Sequence, residues 1–151
     1  AGITSALCTS FKVELLEGDH DFNNGADAFK VALFKANASI TGTYSAATTN
    51  YSDMTGNSDE LPNGSGYTTT GFALTNVNPT SSGTTAFTDF SANASWSSAT
   101  FTTRGCMIYN TSDGNSAVAV INFGADYSVS GGTFEIQWPT ADSSNAIIRI
   151  A

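Results

Sequence analysis

Charged residues are scarce in this chain of 151 residues, and positive charge is the scarcest. Asp, Glu, Lys and Arg together make up 12% of the sequence, about half of their usual share in globular proteins. Five Lys and Arg residues stand against 13 Asp and Glu residues, which gives a net charge of −8. Nucleic acids and anionic membranes are bound through clustered Lys and Arg side chains. We therefore expect neither as a partner.

Cysteine and histidine are too few for the common metal and redox motifs. Cys8 and Cys106 form no C-x-x-C pair, and the lone His20 cannot complete a typical zinc site with them. One disulfide between the cysteines is possible, but buried free thiols are the favoured interpretation. His20 lies between Asp19 and Asp21, which favours a polar loop at a helix end over a weak metal site. No cofactor is expected.

Long apolar runs are missing as well. No run approaches the roughly 20 residues that a membrane-spanning helix needs. The start, Ala1-Gly2-Ile3-Thr4, resembles a mature end after removal of Met, and no signal-peptide pattern follows it. We expect a soluble protein with one domain over residues 1–151, because a chain of this size can bury roughly 70% of its extended surface.

Catalytic motifs are not recognisable. No G-x-S-x-G motif occurs, and Gly64-Ser65-Gly66 lacks the G-K-[ST] ending of a phosphate-binding loop, so it is read as a turn. Asp113-Gly114-Asn115-Ser116 offers oxygen ligands for calcium, but a hairpin turn explains it more economically. No spacing singles out a glycosidase pair among the carboxylates. The sequence therefore does not predict an enzyme. The carboxylates are predicted to be solvated loop charges: Asp53, Asp59, Glu60, Asp89, Asp126, Glu135 and Asp142.

The first segment has the periodicity of a helix. Leu7, Phe11 and Leu15 follow one another at intervals of four residues and form one apolar face. A Thr or Ser at residue 4 or 5 can cap the start of this helix, and Gly18 can end it. The pattern predicts an N-terminal helix over residues 4–18.

The pattern changes to strands after about residue 27. Phe29, Val31 and Leu33 alternate with other residues, which predicts a strand with one well-buried face. A polar stretch over about 36–66 mixes helix, turn and loop signals, and a connection this long is more often functional than idle. Further strands are predicted at 67–74, 85–90, 94–103, 106–110, 117–123, 132–138 and 146–151, with a strong hairpin signal at Asp113-Gly114.

Many short strands separated by turns predict an antiparallel β-sandwich or jelly-roll-like domain over residues 27–151, with the N-terminal helix laid on it. Most strand aromatics should build the core. Tyr44, Tyr51 and Tyr67 lie in or beside the polar stretch and are better surface candidates; an exposed aromatic platform would indicate glycan binding. The expected core aromatics are Phe87, Phe90, Trp96, Phe101, Phe123, Phe134 and Trp138.

Three parts of the sequence have a familiar pattern: LCTSFKVELLEG at residues 7–18, FTTRGCMIYN at 101–110 followed by AVAVINFG at 117–124, and FEIQWPTAD at 134–142 followed by AIIRI at 146–150. Together they resemble a family of small β-rich structural proteins from virions of tailed phages, of the cyanophage or aquatic-phage type. The resemblance runs along the chain apart from the polar stretch. Cys106 and Met107 depart from the small or aliphatic residues expected there. The motifs carry no chemistry.

The resemblance implies a head decoration or cement protein, located in the virion and assembled in the host cytoplasm. Such a protein would bind the major capsid protein lattice or other virion proteins as a homo-oligomer, with a trimer favoured. The competing interpretation is a tail, neck or head-fibre adhesin that binds host surface glycans. The predicted contact residues are Leu7, Phe11, Leu15, Tyr44, Tyr51 and Tyr67.

Overall fold

A computed structural model describes residues 1–151, and antiparallel strands dominate it. The elements in chain order are β1 Gly2–Ile3, β2 Ala6–Leu7, α1 Thr9–Glu17, β3 Phe29–Leu33, a 3₁₀ turn Asn37–Ser39, β4 Thr43–Tyr44, α2 Tyr51–Gly56, β5 Phe72–Ala73, β6 Thr80–Ser82, β7 Thr85–Thr88, β8 Ala94–Asn110, β9 Ser116–Ile136 and β10 Ile148–Ile150. The prediction of a mainly β protein with an N-terminal helix is confirmed.

The strands form three sheets. The largest has five strands in the order β2-β9-β8-β3-β5, and all of its pairs are antiparallel. A second, antiparallel sheet has the order β10-β7-β6. Strands β1 and β4 form a separate parallel pair. No helix has the length and hydrophobicity that crossing a bilayer requires.

Strands β8 and β9 form one long hairpin, which confirms the hairpin predicted at Asp113-Gly114. Gly114 and Asn115 have φ angles of 58° and 63°, and tight hairpin turns favour Gly and Asn at such positions. The strands contain 17 and 21 residues, so each merges two of the predicted strands. The chain does not turn at Gly131-Gly132. Thr100 pairs with Ser130 and Ala99 with Gly132, which leaves Gly131 as an extra residue in a bulge.

A larger bulge divides this hairpin in two. Gly105 pairs with Asn122 and Thr103 with Tyr127, so four residues of β9 stand opposite Arg104 alone. We call residues 105–110 and 116–122 the proximal half, and residues 94–103 and 127–136 the distal half. The proximal half adjoins β3 and β2, whereas β2 and β3 do not extend along the distal half.

The proximal half forms the centre of the core. Its runs CMIYN and AVAV are almost continuously buried, as expected for strands covered on both faces. Cys106 lies here and Cys8 lies just before α1. Both are free buried thiols, and burial raises their pKa values to about 12 and about 11. Burial thus keeps both sulfurs protonated at neutral pH.

Helix α1 is shorter than the predicted helix over residues 4–18, because its first residues are used in sheets. The N–H of Thr4 donates to the carbonyl of Tyr44, and β2 pairs with Ala119 and Val120 of β9. Cys8 is the extended residue before the helix, and its side chain makes no capping bond. The predicted end is confirmed, because Gly18 has a φ of 84°.

Other predicted strands are shorter or merged in the structure. Within 67–74 only Phe72–Ala73 pairs with β3. The turn predicted at Gly64-Ser65-Gly66 is confirmed, because Gly64 and Tyr67 exchange two backbone hydrogen bonds of 2.8 and 3.0 Å. Strand β3 is more buried than simple alternation predicts, with Val31, Ala32 and Leu33 all at 0% exposure.

Candidate interaction surfaces

The predicted contact tyrosines are not on the surface. Tyr44, Tyr51 and Tyr67 are 1%, 9% and 2% exposed. Their hydroxyls point inward and donate to Asp59 and Glu60, two adjacent carboxylates that are themselves buried. The expectation of exposed tyrosines is therefore wrong, and so is that of solvated charges at residues 59 and 60. The two errors have one cause, because each buried carboxylate requires donors and the tyrosines supply them.

Asp59 holds the start of the polar stretch. Its Oδ2 accepts hydrogen bonds from Tyr44 Oη at 2.6 Å and Gly42 N at 2.8 Å, and its Oδ1 accepts one from Thr41 N at 2.9 Å. Burial by itself raises the pKa of Asp59, but these donors outweigh burial and lower it. Asp59 is therefore an ionised anchor whose neutralisation would weaken three bonds.

Glu60 holds the other end of this network. Its Oε1 accepts from Tyr51, and its Oε2 accepts from Tyr67 Oη at 2.6 Å and Thr70 N at 2.9 Å. Tyr67 Oη also accepts from Leu33 N of the central strand β3. Burial, followed by the bonds to Glu60, raises the pKa values of Tyr51 and Tyr67 far above neutrality. The polar stretch is thus packed into the core by its own charged residues.

The remaining predicted surface carboxylates divide into buried and solvent-facing groups. Asp89 is 1% exposed, and its oxygens accept from the N–H groups of Phe90 and Ile147, so its predicted solvation is wrong. Burial raises its pKa, and those two donors only partly oppose the effect. Asp126 and Glu135 are exposed as predicted.

His20 is buried rather than part of a solvated loop, which corrects the prediction. Its Nε2 lies 3.0 Å from Glu14 Oε1, and its Nδ1 lies 2.9 Å from Asn110 Nδ2. The orientation of the Asn110 amide follows from its other contacts, because its Nδ2 donates to Asp27 and its Oδ1 accepts from Ser112 N. Nδ1 of His20 must therefore accept the hydrogen bond from Asn110, and the N–H at Nε2 donates one to Glu14.

The same histidine belongs to a group of three potential metal ligands. Ligand atoms of Glu14, His20 and Asp113 lie within 4.8 Å of one another. A histidine that binds a metal usually donates its other ring N–H to an acceptor, whereas Nδ1 of His20 faces the amide donor of Asn110. The residues therefore fit a hydrogen-bonded connection between α1 and the β8–β9 turn better than a metal site.

The predicted apolar helix face divides in the structure. Phe11 is 1% exposed and belongs to the core, so it offers almost no surface of its own to a partner. Leu7 lies on β2 rather than on the helix, yet it is part-exposed, as is Leu15. Both line what we call the α1–β10 groove, together with Leu16 and Ile150, which are 89% and 57% exposed. Sequence periodicity thus identified Leu7 and Leu15 but missed Leu16 and Ile150.

Two cations border the α1–β10 groove. Lys12 and Arg149 are both exposed and are two of the five Lys and Arg residues in the chain. Neither forms an ion pair within 4.0 Å. Arg149 lies close enough to Asp142 to help lower the pKa of that carboxyl, though the Asn145 side chain has the larger effect. The groove therefore combines exposed aliphatic side chains with positive charge on a strongly acidic protein.

A second apolar surface lies at the β9 bulge and on the distal half of the hairpin. We call it the β9 patch; it consists of Phe123, Tyr127, Phe134 and Ile136, with Glu135 among them. The ring of Phe123 lies 6.1 Å from those of both Tyr127 and Phe134. Tyr127 is 51% exposed, and it was not among the sequence candidates. The only sign of this position in the sequence was that the tyrosine lies between two polar residues, Asp126 and Ser128.

The expected core aromatics are confirmed only in part. Trp96 and Phe90 are 6% and 3% exposed, and Phe87 is also buried. Phe101 and Trp138 are part-buried and pack against the core, as do Phe123 and Phe134 of the β9 patch. The distal half of the hairpin thus keeps a partly open aromatic face.

Neither protein-family models, nor curated proteins, nor solved structures provide a match to this chain. The α1–β10 groove, the β9 patch and the sequence resemblance are therefore the observations from which a function can be inferred.

Proposed function

We propose that this protein is a structural component of a tailed-phage virion, a decoration protein that binds the major capsid protein lattice as an oligomer. The role is one of binding, without catalysis or cofactor. Its sequence resemblance to small virion proteins motivates the class of function. Contacts between copies and with the shell would bury apolar and hydrogen-bonding surface, and many modest contacts on one lattice add up to firm attachment.

The α1–β10 groove is the observation that carries this proposal. Leu16 and Ile150 both line this groove with most of their surfaces in solvent. Clustered exposed aliphatic side chains with a polar rim are typical of protein interaction sites. A protein that works by covering its apolar surface with partners needs such a region.

A tightly packed body also suits a cement role. The buried carboxylates Asp59 and Glu60 connect the polar stretch to the core, so this stretch is a fixed part of the folded unit. We further propose that the two antiparallel sheets are the layers of a sandwich. In support of this, the ring of Phe90, just after β7, lies 6.0 Å from that of Phe29 on β3.

Reconstitution on capsid shells tests the proposal. Purified protein is added to shells assembled from the major capsid protein of the source phage, and bound copies are counted after sedimentation. We expect saturation at a fixed number of copies per capsid subunit and higher heat resistance of the decorated shells. Leu16→Glu should reduce binding, whereas the matched charge change Thr69→Glu at another exposed position should not. Shells that bind no protein, or that gain no resistance, would contradict the proposal.

The second candidate function is a glycan-binding adhesin, and the β9 patch favours it. Exposed aromatic rings stack on sugar faces, and nearby carboxylate and amide groups can bind hydroxyls. Here Glu135 accepts from Asn93 Nδ2 at 3.2 Å and Gln137 Nε2 at 3.1 Å, and it lines the same concavity as Tyr127. On a glycan array this function requires binding that Tyr127→Ala removes. An array without hits would exclude it for the sugars tested.

A further inference from the structure

We propose that copies of this protein associate by placing the α1–β10 groove of one copy against the β9 patch of the next. This proposal deepens the proposed function. It rests on that function in one respect, namely that the working form is an oligomer. The two surfaces share no residue. A contact between different surfaces propagates from copy to copy and gives a closed ring when the rotation between copies permits.

The first argument is the chemistry of the two surfaces. The groove offers aliphatic side chains, of which Leu16 and Ile150 are the most exposed. The β9 patch offers aromatic rings, of which Tyr127 is the most exposed. Aromatic side chains are enriched where protein interfaces bury apolar area. Each surface therefore supplies what would cover the other.

The second argument is charge. Each copy has a net charge of −8, so two copies repel one another unless their contact brings opposite charges together. The groove carries Lys12 and Arg149 without ion pairs, whereas the β9 patch carries Glu135, whose partners are neutral amides. When the groove of one copy faces the patch of the next, Lys12 and Arg149 come close to Glu135. Groove against groove, or patch against patch, would bring like charges together.

The third argument is the backbone. Strand β2 pairs with β9 only at Ala119 and Val120, and the N–H of Asn122 donates to Ser5 Oγ. Beyond these contacts no strand pairs with the outer edge of β9 along residues 127–136. Strand β10 is likewise at the edge of its sheet. Unpaired strand edges present free N–H and C=O groups that can pair with another chain. The β9 patch lies along the unpaired part of β9, and β10 forms one wall of the groove.

Charge reversal tests the proposal on the purified, full-length protein. Sedimentation velocity at increasing concentration measures association of wild type, Arg149→Glu, Glu135→Arg and the double variant. We expect wild type to associate, each single reversal to weaken association about tenfold or more, and the double reversal to recover most of the loss. Lys35→Glu and Asp19→Arg match the single variants in net charge and lie outside both surfaces, so they should associate like wild type.

Mixing the two single variants sharpens the test. Arg149 of the Glu135→Arg protein still meets Glu135 of the Arg149→Glu protein, so the mixture should associate more strongly than either variant alone. A wild type that stays monomeric, or single variants that associate like wild type, would overturn the proposal. So would a double variant that has a wild-type melting temperature but recovers no association. Shell binding is measured separately, so a protein that self-associates but binds no shell refutes only the decoration function.

Discussion

The two halves of the β8–β9 hairpin are continuous in chain and sheet, yet they differ in how they are covered. In the proximal half, Ile108 and Val118 are 1% and 0% exposed, and neighbouring strands lie on both sides of the pair. In the distal half, Tyr127 is 51% exposed, and β9 has no strand on its outer side. The change occurs at the bulge opposite Arg104.

This difference separates the part of the hairpin that builds the fold from the part that is available to partners. Side chains of the proximal half should matter for stability, because they fill a closed core. Side chains on the β9 strand of the distal half should matter less for the stability of the isolated protein and more for its association, whereas Trp96 on the β8 strand belongs to the core. Matched substitutions in the two halves can test this separation.

The largest effect is expected from shortening matched isoleucines. Ile108→Ala removes a fully buried side chain and should lower the free energy of unfolding by about 2–5 kcal/mol. Ile136→Ala, at a part-buried position of the distal half, should cost less than half as much. Urea denaturation followed by tryptophan fluorescence measures both. Equal losses would show that the distal half belongs to the same closed core.

A pair of tyrosines gives the next effect. Tyr67→Phe removes a hydroxyl that donates to Glu60 and accepts from Leu33 N, and the lost bonds should cost about 1.5–3 kcal/mol. Tyr127→Phe removes an exposed hydroxyl and should change stability by less than about 0.5 kcal/mol. Thermal melts of both variants beside wild type give the comparison. A Tyr67→Phe protein as stable as wild type would mean that the carboxylate network adds no stability.

Two glycines distinguish the halves by a different mechanism. A Cβ on Gly105 would lie 2.3 Å from the carbonyl oxygen of Ile121, so Gly105→Ala should cost about 1–3 kcal/mol or more. Gly131 has a φ of 65° but open space around it, so Gly131→Ala should cost about 1 kcal/mol of backbone strain. Chemical denaturation ranks the two variants. The reverse order would contradict the register of the hairpin.

The smallest expected effect is a pH dependence that comes from Asp59. The folded protein lowers the pKa of this carboxyl below its ordinary value of 3.8. Its contribution to stability is therefore complete above that value and is lost as the pH falls through the lower, folded pKa. Asp59→Asn should reduce stability at neutral pH and flatten the decline in acid, whereas Glu135→Gln should follow wild type. The check is to measure the stability of all three proteins as the pH is lowered. An Asp59→Asn protein that loses stability in acid as steeply as wild type would contradict the role given to Asp59.

Local sequence signals were enough for much of this fold. The Asp113-Gly114 turn and the helix end at Gly18 depend on backbone conformations that Gly favours, so they are readable without tertiary structure. The apolar runs that flank the turn identified the central strands. The limits of the strands were less accessible, because bulges such as that at Gly131 depend on the register of the partner strand.

The candidate surfaces were harder to predict, because exposure is set by contacts distant in sequence. Tyr44 and Tyr67 stand in a polar segment, and their burial follows from Asp59 and Glu60 being drawn inside with them. Leu7 was placed on a helix because pairing with Ala119 is invisible to local periodicity. Leu16 and Ile150 line the same groove although they come from opposite ends of the chain.

Amide hydrogen exchange along β9 tests most directly the claim that one half of the hairpin builds the fold and the other contacts partners. It is measured residue by residue in dilute and in associated protein. We predict slow exchange at residues 117–120 in both samples. At residues 127–136 the amides that donate to β8 should also exchange slowly, whereas the outward-facing amides should exchange fast in dilute protein and slow down on association. Uniformly slow exchange along β9 in the dilute sample, or no change on association, would contradict the account.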